Sequence, residues 1–227
     1  MNGIEKIGEY FILMGRVFRM PDRWRMFWRQ MSKEMEKQGL ESILITLIVS
    51  VFMGAIMTLQ TKLNTENPLL PAYSTGLVTR DCILLEFSST ILCLLLAGKV
   101  GSNIASEIGT MRITEQIDAM EMMGVNSANY LILPKIVSAT TLSPLLMLLS
   151  FMVGLLGGAM IVILTGIVNY SQYVEGLQFA FKPFYIYYSM TKIAVFGFLI
   201  TSIASFYGYY AKDGSLGVGR SSTKAIV

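Results

Sequence analysis

Four apolar runs of membrane-crossing length constrain this chain more than any other feature of its sequence. Residues 43–60 contain no charged side chain at all, and roughly twenty residues rising 1.5 Å each are needed to cross about 30 Å of hydrocarbon. Residues 82–98 form a second run interrupted only by Glu86. A third occupies 136–165, inside a longer apolar stretch from 131 to 166 that carries Pro134 and Pro144 and reads as a short entry turn followed by a kinked span. The fourth, 184–210, is rich in Tyr and holds Lys192. Backbone groups in hydrocarbon must be satisfied within their own segment, so such runs are helices. The expected fold is therefore an all-α integral membrane protein.

Composition agrees with that solvent. Only 15% of the 227 residues are charged and mean hydropathy is +0.57, whereas about a quarter of a soluble domain is charged. A formal charge of +3 is too small to argue for nucleic acid. His is absent, which removes the commonest general base and metal ligand and excludes classical triads and zinc sites. Cys82 and Cys93, eleven residues apart on one helix, lie about 16 Å from each other, too far for a disulfide. The early apolar patch at 10–14 is too short for a cleavable signal, so the N-terminus is expected to be retained.

Ahead of the first span, residues 4–38 place Ile7, Phe11, Met14, Val17 and Phe18 on one stripe. After Pro21 the stripe resumes with Trp24, Phe27, Trp28, Met31 and Met35, interleaved with Arg16, Arg19, Arg23, Arg25, Arg29, Lys33 and Lys37. An aromatic face opposite a basic face suits a helix lying among the headgroups of an anionic leaflet, or a soluble helix packed on a partner. The segments 62–80, with Asn67-Pro68 and Pro71, and 167–183 read as loops on the other side. Fourteen basic residues fall on the side of the N-terminus, the 99–130 segment with Lys135 just beyond it, and the C-terminal stretch, against Lys62, Arg80 and Lys182 opposite. The positive-inside rule therefore predicts a cytoplasmic N-terminus. In the third span Gly154 and Gly158, with Gly157 beside them, permit close approach of another helix of the same chain or of a second subunit.

The 99–130 segment is small and charged, and reads as a polar loop with one short helix. Thr114 can cap that helix and Gly124 can end it. Ile113, Ile117, Met120 and Met123 or Gly124 recur on one face, and Glu115, Asp118 and Glu121 on another. Such a helix can dock in a groove of a soluble partner, or be an ordinary connector with a solvated acidic face. The Gly217-x-Gly219 stretch lacks the ending of a phosphate loop, and no Walker A pattern occurs in the chain. Any nucleotide that powers it must bind elsewhere.

Two segments carry a specific resemblance. AGKVGS at 97–102, followed by ASEIGTMRITEQIDAMEMMGV at 105–125, closely resembles the signature of the MlaE/YrbE permease family, and GVGRSSTKAIV at 217–227 is similar to its second hallmark. The resemblance implies a multi-pass permease of the bacterial inner membrane, acting as a homodimer with a cytoplasmic ABC ATPase that binds the ATP and Mg. It also implies a periplasmic MCE-domain protein as lipid conduit, often a STAS-type regulator, and phospholipid as cargo. No cofactor and no catalysis are expected on this chain. The coupling helix of similar permeases falls on Arg112, Glu115, Ile117, Asp118, Met120, Glu121, Met122 and Gly124. Their central lipid pocket falls on Met57, Gln60, Asn64 and Glu86. Where they carry Arg and Leu-Gly around that acid, this chain has Leu85 and Phe87-Ser88.

An acid in a span faces a cavity or a partner, so Glu86 could equally serve a structural ion pair or stay protonated and hydrogen-bonded. Met57, Gln60 and Asn64 share one helical face and could serve ordinary packing instead. Lys192 could snorkel outward or meet an anionic headgroup. Similar permeases continue past Gly219-Arg220 into a fifth span, so a further helix is expected beyond Val227. The rival functions are a membrane enzyme acting on lipids, which would need a polar catalytic cluster at the interface, and a passive channel or scaffold that binds no ATPase.

Overall fold

The computed structural model describes residues 3–19, 24–65, 71, 73–212 and 214–227. The breaks expected at Pro21 and at Asn67-Pro68, and the side chain of Arg23, lie outside them. The described residues are helical and contain no strand. In chain order the helices are α1 (Gly3–Val17), α2 (Trp24–Asn64), α3 (Ser74–Ile113), α4 (Gln116–Met122), α5 (Ser127–Thr165), α6 (Tyr170–Gln178), α7 (Phe184–Tyr209) and α8 (Gly214–Ile226). Four of them, α2, α3, α5 and α7, are long and apolar enough to cross a membrane. Large apolar side chains such as Leu44, Phe52, Leu94, Leu156 and Ile163 are left exposed along them, as lipid-facing surfaces require.

Two compact units are formed, one from Met1–Leu40, Leu95–Leu142 and Val195–Val227, the other from Glu41–Leu94 and Ser143–Ala194. In the first unit, α1 buries Leu13, Met14 and Val17. Its terminal carbonyls, which have no intrahelical partner, are met by asparagines at the start of α5. Asn129 Nδ2 donates to the carbonyls of Val17 at 2.7 Å and Arg19 at 2.6 Å, and Asn126 Nδ2 to that of Arg16 at 3.1 Å. Tyr10 donates its hydroxyl to Ser202 of α7 at 2.9 Å. Lys135 is buried and holds two carboxylates, Glu34 at 2.6 Å and Glu107 at 3.0 Å, while Lys37 adds a contact of 2.8 Å to Glu107.

The structure differs from the sequence reading in where helices begin and end. The stretch from Trp24 and the first span are one helix, α2. Residues 99–113 are not loop but the continuation of α3. The reason is that their small residues are contact positions rather than breakers. A Cβ on Gly101 would touch Ile200 at 3.4 Å, one on Gly109 would meet Val218 at 3.3 Å, and Gly208 of α7 packs on the backbone of Ala105. The expected outer loops also hold helix, in the first residues of α3 and in α6, and α5 runs helically through both prolines.

In the second unit, helices approach to backbone contact. A methyl group on Gly54 would overlap the carbonyl of Gly154, one on Gly157 the carbonyl of Val51, and one on Gly158 the hydroxyls of Tyr173 and Thr58. The glycines of the third span thus serve packing within the chain. Gly76 and Gly176 bring α3 and α6 equally close. Arg80, 2% exposed, donates from Nη1 to the carbonyls of Leu177 at 2.9 Å and Phe179 at 2.8 Å, completing the C-terminal end of α6. The buried Tyr173 hydroxyl lies 3.5 Å from Thr58 Oγ1, and burial outweighs that bond to push its pKa above the ordinary tyrosine value.

Candidate functional site

The stretch from Arg112 to Gly124 is built by two backbone reversals. Helix α3 stops at Ile113, and Glu115 adopts a left-handed conformation with φ of 59°. Thr114 does not cap α4 as the sequence suggested. Its hydroxyl turns back to donate to the carbonyl of Thr110 at 2.8 Å, and the residue preceding α4 is Glu115, with no side-chain cap. At the other end Gly124 takes φ of 75°, and the N–H of Val125 returns to the carbonyl of Met120 at 3.0 Å. That is the glycine stop read from the sequence.

The two stripes of α4 are used unequally. Ile117 is fully buried and anchors the helix, Met120 is half-buried, and Met122 and Met123 stand out at 85% and 72% exposure. Among the acids, Asp118 pairs with Arg112, whose guanidinium lies 5.9 Å from the Tyr209 ring centroid. Glu121 Oε1 accepts from Tyr209 at 2.8 Å and from Ser127 at 3.0 Å, and those two hydroxyls are 2.9 Å apart. The Tyr209 bond holds the Glu121 carboxyl below its ordinary value, against a smaller opposing effect of burial; Ser127 and the charges of Arg112 and Arg16 add to the lowering. Glu115 alone of the three is exposed with no side-chain bond among the described residues. Met26, Phe27 and Gln30 of α2, with Met120, Met123 and Tyr130, line a groove of about 480 Å³ beside α4. Helix α4 is therefore pinned to the start of α5 and the end of α7, while an acid and two methionines project outward. Tyr209 and Ser127 were missed by sequence reasoning; their only sequence signal is a polar residue at the margin of an apolar run.

The second group lies in the other unit. Met57 is half-buried on α2, and Gln60 and Asn64 are exposed there. Glu86 sits on α3, its side chain 67% exposed. Its carboxylate receives Lys192 Nζ of α7 at 3.5 Å and Thr90 Oγ1 at 3.4 Å. Among the described residues, no hydrogen bond joins Glu86 to Met57, Gln60 or Asn64. Lys192 thus pairs with the acid of the second span, one of the uses open for Glu86.

Residues Ile83–Ile91 around that acid are π-helical, as are Ala97–Gly101. A π-turn bonds each N–H five residues back, and where it joins an α-helix a carbonyl loses its regular donor. Within the π-helical stretch the carbonyls of Leu84 and Leu85 also accept from side chains of α7: Ser189 Oγ at 2.9 Å and Lys192 Nζ at 3.1 Å. Among the described residues no group of three His, Cys, Asp or Glu side chains could hold a metal ion.

Comparison with known proteins adds the following. The family described as Permease MlaE matches residues 31–227. A protein of Rickettsia bellii called "Probable ABC transporter permease protein" is 33% identical over 194 residues, 83% of this chain and 73% of its own length. A similarly named permease of Synechocystis is 33% identical over 224 residues, 98% of this chain and 84% of its own. The Arabidopsis thaliana protein TRIGALACTOSYLDIACYLGLYCEROL 1, chloroplastic, is 29% identical over 221 residues, 95% and 61% respectively.

Proposed function

This chain belongs to the MlaE permease family, and from that premise we propose that it is the membrane-spanning half of an ABC transporter that moves phospholipid. In this reading two copies enclose a lipid cavity in the bacterial inner membrane, with the N-terminus in the cytoplasm. The cavity meets an MCE-domain conduit in the periplasm. A separate ATPase, with its ATP and Mg and in some systems a STAS-type regulator, docks on the cytoplasmic side. The chain itself catalyses nothing and binds no cofactor.

The observation that carries the reading is the construction of α4. Its outward face, Glu115, Met122 and Met123, offers a soluble partner one acid and two adaptable apolar side chains. Its inward face is tied through Glu121 to Ser127 and Tyr209, the margins of two spanning helices. A push received on one face reaches α5 and α7 through short bonds, and a driver can shift only states with which it interacts differently. The cargo side rests on Met57, Gln60, Asn64 and the Glu86–Lys192 pair, which would present thioether, amide and paired charge to a lipid. The Arabidopsis relative is named for a galactosylated diacylglycerol, which favours a two-tailed lipid over a single acyl chain.

The test is the double variant Glu115→Lys/Asp118→Lys in the complex reconstituted with its ATPase. Helical content and thermal midpoint should hold, because Glu115 makes no side-chain bond among the described residues and the Arg112–Asp118 pair is half-exposed. Lipid-stimulated ATP turnover should fall to the level of the ATPase alone. Normal stimulation in this variant refutes the docking role of α4.

A further inference from the structure

A groove of about 380 Å³ in the first unit is lined by α1, the end of α7 and α8. Four cations converge on it: Lys6, Lys212, Arg220 and Lys224, with Glu9 the one acid in its lining among the described residues. None of the four makes an ion pair or hydrogen bond among the described residues, although paired charges are common elsewhere in the same unit. Gly217, Arg220, Ser221 and Lys224 fall at i, i+3, i+4 and i+7, so α8 turns one continuous face to the groove. The other wall is aromatic: Phe206, Tyr207 and Tyr210, with the Phe206 and Tyr210 centroids 5.1 Å apart. The frame is fixed by Tyr10 bonding Ser202 and by Ser102 bonding Ser222 at 2.9 Å.

Four cations against one carboxylate leave the described lining of the groove net positive, and an added anion offsets their mutual repulsion. Arg and Lys around one point match a phosphate, the Arg through its planar fork. Tyrosines at the end of an apolar helix mark the depth of lipid headgroups, and basic clusters close to the end of a spanning helix attract anionic headgroups. We propose that this groove binds the phosphate of an anionic phospholipid in the leaflet where α7 ends. The site is separate from the cargo residues, none of which lines it. A lipid seated there ties α1 to α8 by shared charge.

The experiment uses the full chain in nanodiscs, with photoactivatable phosphatidylglycerol or phosphatidylcholine and mapping of crosslinked peptides. Phosphatidylglycerol should label residues 206–224 in preference to phosphatidylcholine, less so at high salt. Arg220→Gln/Lys224→Gln should lower the labelling about twenty-fivefold, since each basic residue near an anionic surface contributes ~1 kcal/mol, about fivefold. Lys6→Gln/Lys212→Gln, on other elements, should do the same and keeps the test open if the first pair folds poorly. Equal labelling by both lipids, or unchanged labelling in both double variants, overturns the site. Displacement by millimolar inorganic phosphate as complete as by excess phosphatidylglycerol overturns the lipid as its source and leaves a free-anion site.

Discussion

Replacing Lys135 by Met should be among the most damaging single changes in the first unit. The side chain is 2% exposed and joins Glu34, 12% exposed, to Glu107, 27% exposed, at 2.6 and 3.0 Å. Met is close in volume, so little cavity is left and the loss is electrostatic. Glu107 retains Lys37 at 2.8 Å. Among the described residues Glu34 keeps only the Gln38 amide, at 3.5 Å. Removing one partner of a buried pair costs ~3–5 kcal/mol, and the lower end applies here because one carboxylate keeps a cation. A loss of ~3 kcal/mol corresponds to about 6–12 °C for a chain of this size. Thermal unfolding in a mild detergent reads it directly. Adding Glu34→Gln removes the stranded charge and should return part of the loss, with a coupling of at least ~1 kcal/mol. A shift of a degree or less for Lys135→Met, or strict additivity in the double variant, would refute the assignment of that stability to the ion network.

Three further outcomes follow from the geometry. Tyr209→Phe removes the main bond that depresses the Glu121 pKa. A depressed carboxylate contributes stability above its unfolded pKa and loses it as pH falls through the folded value, so the variant should show a shallower fall in thermal midpoint on acidification through the carboxylate range. Glu115→Gly relieves the left-handed backbone at φ of 59° and should raise stability by ~1 kcal/mol, read as a higher midpoint; a lower one would show that the Glu115 side chain is stabilising. Gly54→Ala drives a methyl into the Gly154 carbonyl and should cost at least ~2 kcal/mol, whereas Gly219→Ala, with nothing within 4 Å, should be neutral or stabilising by ~0.5–1 kcal/mol.

What could be read in the sequence was set by how local each cause is. Hydropathy announced α2, α3, α5 and α7, because lipid acts on every residue of a span alike, and Gly124 announced the end of α4 because its positive φ is a property of one residue. Residues 99–113 were misread as loop because Gly101, Ala105 and Gly109 look like breakers until α7 and α8 are laid against them. Lys135 counted as one more orienting cation, yet a lone Lys with apolar residues on both sides was a sign that its charge had to be met inside. The bonds from Ser127 and Tyr209 to Glu121 join residues as much as 88 positions apart, beyond any periodicity. Glu86 and Lys192 are opposite charges in two spans, and their pairing was among the uses open for the acid.

The glycine contacts between α2 and α5 have a consequence for any path along this protein. Where Gly54 meets Gly154 and Gly157 meets Val51 the two main chains touch without an intervening layer of side chains, so this seam is too thin to part for a hydrocarbon tail. Thr58 and the Tyr173 hydroxyl extend the closure by a further turn. On the lipid-transport reading proposed above, a tail moving beside α2 would be confined to the helix's other flanks, among them the one on which Met57 and Gln60 stand.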